Sequence, residues 1–143
     1  MKHVGRILSL SQTGRSIQSA IQGNSKHAAT IANERSTPFH IGSPYVSRNN
    51  RGVEHIHTDD LHYCSAAIAR LNKSGRSVGA VQYEGSNINE VDHTIRQLKR
   101  FRNKIKILIT RNDNAVHPVR DRPFYQRYED NFSQLVKRFK DTG

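Results

Sequence analysis

Histidines two residues apart on an extended segment point to one side of the chain and can share a metal ion. The run His55-Ile56-His57-Thr58-Asp59-Asp60-Leu61-His62 has that spacing, and Asp59 could add a carboxylate oxygen. The same residues also have structural uses: His55 and His57 suit one side of a strand, and Asp59 or Thr58 suits the cap of a following helix. Two further acids stand where apolar runs end, Glu84 after Val78–Tyr83 and Asp113 after Ile105–Thr110. If both runs are parallel strands, their carboxyl ends lie at one edge of the sheet, and Glu84 and Asp113 could jointly hold Mg²⁺. A third group is cationic. Arg96, Lys99, Arg100, Arg102, Lys104 and Lys106 occur without an intervening acid, which suits neutralisation of phosphates. Arg111, Arg120, Arg122 and Arg127 could extend that surface.

The elements that must position these groups follow from periodicity. Val53–Thr58 alternates as a short strand does. Leu61, Cys64, Ile68 and Leu71 then make one stripe of a helix, and Gly75 stands where a left-handed residue closes it. Val78, Ala80, Val81 and Tyr83 make a second strand. Asn87 and Glu90 have capping-box spacing, and Val91, Ile95, Leu98 and Phe101 form the buried stripe of the helix they open. Ile105, Ile107, Leu108 and Ile109 read as a third strand, buried on both faces. Tyr125, Tyr128, Phe132, Leu135, Val136 and Phe139 recur at helical spacing, as core or as a base-stacking platform. Strands alternating with helices predict βαβ units and a mainly parallel sheet.

Residues 1–52 differ in character, being rich in Ser, Gly, Asn and Gln with Glu34 as the one acid. Gly5–Leu10 predicts a first strand and Ile17–Ala32 a short helix. The turn signals Thr37-Pro38, Ser43-Pro44 and Asn49-Asn50-Arg51-Gly52 predict a long mobile connection over 36–52. The composition of residues 1–33 also fits an organelle transit segment, the alternative to a cytoplasmic location. The whole chain has 143 residues and a net charge of +11, which favours polyanionic partners. Cys64 is the one cysteine, so an internal disulfide is excluded. No run approaches the roughly 20 apolar residues of a membrane-spanning helix.

Three families share pieces of this pattern. His55 to Asp60 resembles the HxHxDH signature of metallo-β-lactamase-fold hydrolases, with Asp60 in place of the last histidine. Glu84 and Asp113 resemble part of a Toprim-like acidic site. From Val53 to Phe139 the chain resembles the later part of a response-regulator receiver domain. In that family the strands end in a phosphoacceptor Asp, then Ser or Thr, then a Lys followed by Pro. Here those positions hold Glu84, Thr110 and Arg122, the last followed by Pro123 and Phe124. The acidic pair expected after the first strand is replaced by Ser9, Leu10, Ser11 and Gln12. The resemblance implies a degenerate, non-phosphorylatable receiver with Glu84, Thr110 and Arg122 as its switch positions, acting in transcription regulation through dimerisation.

Together these features predict one α/β domain. Residues 53–143 would form a three- to five-stranded, mainly parallel, flavodoxin- or receiver-like sheet flanked by helices, behind a loosely structured basic segment at 1–52. The expected function is a non-enzymatic regulatory or nucleic-acid-associated module without cofactor. Its partners would be nucleic acid or another polyanion and a second copy of itself, with no membrane. The alternatives are a metal-dependent hydrolase or nuclease using His55, His57 and Asp59 or Glu84 and Asp113, and a structural part of a ribonucleoprotein.

Overall fold

Small side chains on both faces of one strand organise this chain. In the computed structural model, which describes residues 36–58, 61–113 and 116–141, the segment Ser65–Leu71 is extended and buried in all but its last residue. The elements in chain order are β1 (Thr37–Pro38), β2 (Tyr45–Val46), β3 (Ile56–His57), β4 (Ser65–Leu71), β5 (Ser77–Tyr83) and α1 (Ile88–Leu98). A 3₁₀ turn (Lys99–Lys104), β6 (Ile105–Arg111) and α2 (Arg122–Asp141) complete them. The main sheet has the order β2-β5-β4-β6, with antiparallel pairing throughout. The parallel pairing is confined to β1 with β3, two residues each. The predicted strand and helix within residues 1–35 lie outside the described residues, as does Asp59.

The mainly parallel, flavodoxin- or receiver-like sheet predicted from the sequence is therefore corrected, and the error has one source. The stripe Leu61, Cys64, Ile68 and Leu71 reads as a helix, but Ser65–Leu71 is the central strand. A helix would have turned several of Ala66, Ala67, Ala69 and Arg70 to solvent. In the strand, Ala66 and Ile68 pack to one side while Ala67 and Ala69 pack to the other. A continuous apolar run of this length is compatible with either element, and burial on both faces selects the strand. Gly75 keeps its left-handed backbone, φ +73°, but in the turn of a β-hairpin. Its N–H donates to the Leu71 carbonyl at 2.9 Å, and the Leu71 N–H donates to the Arg76 carbonyl at 2.8 Å. A turn this short can join only antiparallel strands, since a parallel crossover needs about a dozen residues. Thr58 caps no helix; its hydroxyl donates to buried Gln82 at 3.0 Å.

One predicted unit survives in altered form. Because β5 and β6 each run antiparallel to β4, they are parallel to each other, and α1 crosses over from one to the other. Val91, Ile95 and Leu98 of α1 and Phe101 after it are buried as expected. Gly79 on β5 leaves room for Leu98: a Cβ there would stand 2.7 Å from the Leu98 Cδ2. The capping box does not form. Asn87 accepts from the Glu84 N–H at 3.0 Å and donates to the Gln82 carbonyl at 2.7 Å, while the Glu90 carboxylate accepts from the Gly42 N–H at 2.9 and 3.1 Å. Helix α2 packs beside α1 on the same sheet face, with Leu135 fully buried and Arg138 gripping Asp92 at 2.6 and 2.7 Å. The Arg138 guanidinium holds the Asp92 carboxyl below its ordinary pKa.

The other sheet face is covered without helices. Phe39, Ile56, Leu61 and Cys64 are buried against Ala66, Ile68, Ala80 and Leu108, with Tyr45, Val53 and Tyr63 around them. The stretch 36–52, predicted as a mobile connection, thus supplies a second layer and the edge strand β2. Its turn is fixed by Asn49, whose side-chain oxygen accepts from the Arg51 N–H at 2.8 Å and the Gly52 N–H at 3.0 Å. Gly52 has φ +70°, and a Cβ on it would collide with the Ser77 carbonyl. Gly42 has φ +82° with open space around it. We expect Gly42→Ala to lose about 1 kcal/mol, the left-handed strain alone. Gly52→Ala should lose roughly 1–3 kcal/mol more, from the added overlap. Urea unfolding midpoints of the two variants check the difference.

Candidate functional site

The strand polarity gathers three turns at one end of the sheet: the segment after β2, the β4–β5 hairpin tip, and the α1–β6 connection. Hydrogen bonds lace all three together. The Asn72 N–H donates to the Lys104 carbonyl at 2.8 Å, tying the hairpin to the 3₁₀ turn. Arg76 donates to the Arg51 carbonyl at 3.1 Å and the Gly52 carbonyl at 3.2 Å, tying the hairpin to the post-β2 segment. Arg100 donates to the carbonyls of Ser47 and Asn49, closing the triangle, with its guanidinium 4.6 Å over the Phe101 ring. Arg70, buried within β4, donates from Nε to the Gly75 carbonyl at 2.9 Å and steadies the hairpin tip. Guanidinium forks suit this work because one side chain can address two acceptors.

Around this scaffold Arg48, Arg51, Lys73, Arg96, Lys99, Arg102, Lys104 and Lys106 are exposed. Among the described residues, the arginines in ion pairs are Arg111, Arg120, Arg127 and Arg138, none of them in this group. The nearest acid along the chain is Glu54, which lies 3.9 Å from His55. Part of the charge complements the carbonyl-bearing end of α1, which points the same way.

The six cations singled out from the sequence, Arg96, Lys99, Arg100, Arg102, Lys104 and Lys106, are all exposed at this end, and Arg100 also holds the post-β2 segment. Sequence reading missed Arg48, Arg51, Lys73 and Arg76, which arrive from two other turns. Their signal is the turn chemistry itself: Arg48-Asn-Asn-Arg51-Gly52 and Lys73-Ser-Gly75-Arg76 each set basic residues around a positive-φ glycine.

The opposite end of the sheet has a different character. Arg111 pairs with Asp113 and Glu129, both at 3.3 Å, and lies 4.6 Å over the rings of Tyr128 and Phe132. Arg120 pairs with Asp121 at 3.0 Å. Arg127 lies over the Tyr63 ring, itself stacked on Phe124. These residues do not extend the cationic cluster, and Arg122 is exposed at the first position of α2.

Glu84 and Asp113 stand at this same edge, but β4 separates their strands, a gap of about 10 Å at ordinary strand spacing. Glu84 accepts from the Ser86 N–H at 2.9 Å and faces Arg127 at 3.9 Å. Asp113 accepts from the Tyr128 hydroxyl and faces Arg111. The two carboxylates belong to separate networks. Thr110 is fully buried, in register with Ala66. His57 shares a 2.7 Å hydrogen bond with Ser36. Among the described residues, no three His, Cys, Asp or Glu side chains are grouped closely enough to hold a metal ion. A cleft of about 320 Å³ opens here, lined by His40, Ile41, His62, Tyr63, Cys64, Gln82 and Glu84.

Comparison with the profiles of known protein families, with curated proteins and with solved structures returns no match. The functional reading therefore rests on this geometry.

Burial, reinforced by the hydrogen bond to Asp113, raises the Tyr128 pKa. The neutral phenol is favoured in the folded state, so the unfolded chain ionises first as pH rises past about 10. Stability that is full below that pH is then lost above it. Tyr128→Phe should shallow the fall of the unfolding midpoint as pH rises above about 10, while Tyr83, raised chiefly by burial, keeps part of it.

Proposed function

We propose that this chain binds the phosphate backbone of nucleic acid through its cationic end, as a non-enzymatic module. The observation that carries this reading is the laced triangle of turns, which fixes exposed cations from three separate parts of the chain on one surface, outside the ion pairs of the described residues. Each phosphate neutralised by such a group releases condensed counterions, and this gives a polyanion its affinity. The arginine–carbonyl bonds hold the turns before any partner arrives, so less ordering is required on binding.

Glu84 and Asp113 are each directed to an arginine, and the histidines of the His55–His57 run have separate neighbours. Among the described residues, no helix is long and apolar enough to cross a membrane.

Lys73→Glu, Arg102→Glu and Lys104→Glu combined should weaken binding to a short nucleic acid by more than about tenfold near 0.1 M salt. The slope of log affinity against log salt should fall by about 2–3, near 0.9 for each phosphate contact removed on a duplex. Arg122→Glu, at the far end, should leave both unchanged. Binding that is undetectable at low salt, or indifferent to the triple reversal, would sink the proposal. Fluorescence anisotropy across a salt series measures both quantities.

A further inference from the structure

We infer that the cationic end is shaped for a duplex, recognised by its paired phosphate rows and without sequence reading; this rests on the phosphate-binding function proposed above. Three features of the surface distinguish a duplex from a single strand.

The first is the absence of stacking side chains among the described residues of this end. Phe101 is 3% exposed, and Tyr45 and Phe139 are half-buried against the core. Among the described Phe and Tyr residues, the one with a largely open ring, Phe124 at 47%, stands at the opposite end against Tyr63. Surfaces that hold single strands use exposed rings on which successive bases stack, each contact contributing about 1–3 kcal/mol. A duplex keeps its bases stacked internally and presents no such face.

The second is the layout of the charges, which spread in two directions. Along the sheet, the turns after β2, between β4 and β5, and before β6 span three strand spacings, about 14 Å. Across the sheet, Arg96 and Lys99 stand on the helix side, while Arg48 and Arg51 stand on the turn after β2. A single strand offers one line of phosphates. A duplex offers two lines flanking grooves about 6 and 12 Å wide, a pattern that a broad field of cations can address.

The third is the kind of polar group between the cations. Asn50, Ser74 and Asn103 are exposed short side chains at turn positions. Such groups hydrogen-bond phosphate and sugar oxygens, contacts that fix position without reading bases.

The test compares the full chain on labelled DNA duplexes of two unrelated sequences, an RNA duplex and the component single strands, each about 20 nucleotides long, near 0.1 M salt. We expect at least one duplex type to bind about tenfold tighter than its own strands, and the two DNA sequences to agree within about twofold. The DNA and RNA arms identify which groove geometry fits, and preference for either duplex supports the inference. Equal or tighter binding of the single strands overturns it while leaving the phosphate reading intact. A strong difference between the two DNA sequences overturns the claim of sequence independence. Absence of binding in every arm overturns the parent reading as well.

Discussion

Burial of β4 on both faces is the constraint from which the architecture follows. Its alanines occupy little depth, so two layers can close on the same strand. The helix layer comes down over Ala67 and Ala69, and the loop layer over Ala66 and Ile68. Both edges of β4 are hydrogen-bonded, to β5 through a short hairpin and to β6 through the longer α1 crossover. Gly79 continues the same logic on β5, giving Leu98 a seat where any larger side chain would push the helix away. Larger residues along β4 would bring overpacking of a kind that usually costs about 1–3 kcal/mol.

That constraint explains which parts of the fold were legible in the sequence. Helices α1 and α2 have polar faces, so their apolar stripes stand out against a contrasting background. Strand β6 has a β-branched run that suits extended structure. Strand β4 offers no contrast, because both of its faces are buried and alanine is the best helix former. Its stripe of larger residues imitates a helix, and that single misreading changes the connection, the strand direction and the sheet type together. The loop layer was illegible for another reason. Its order comes from partners far along the chain, such as the Phe39 N–H on the His57 carbonyl and the Ser47 N–H on the Val78 carbonyl. Turn chemistry shows that the chain bends there, not where it returns.

The candidate surface was legible in the same partial way. The run from Arg96 to Lys106 is a local feature of the sequence, and its six cations are exposed together. Arg100 shows what composition conceals: a guanidinium counted as surface charge is engaged with backbone carbonyls from another layer. Arg48, Arg51, Lys73 and Arg76 join the surface only through the topology, since a parallel sheet would have set the β4–β5 connection elsewhere. The +11 net charge is thus unevenly shared. Among the described residues, most acids of α2 and of the loops preceding it neutralise arginines at one end of the sheet, and exposed cations gather at the other.

Strand β6 borders the main sheet, and among the described residues no strand pairs with its outer side. Seven residues of backbone donors and acceptors along such a border are a template on which another chain could add a strand, the ordinary route to edge-to-edge aggregation. Lys106 is exposed near one end of this border, and the molecule as a whole is strongly positive. Two copies approaching along β6 would bring like charges together before their ladders could form. The charge that suits this protein to a polyanion therefore also helps to keep its open sheet border from joining that of a neighbour.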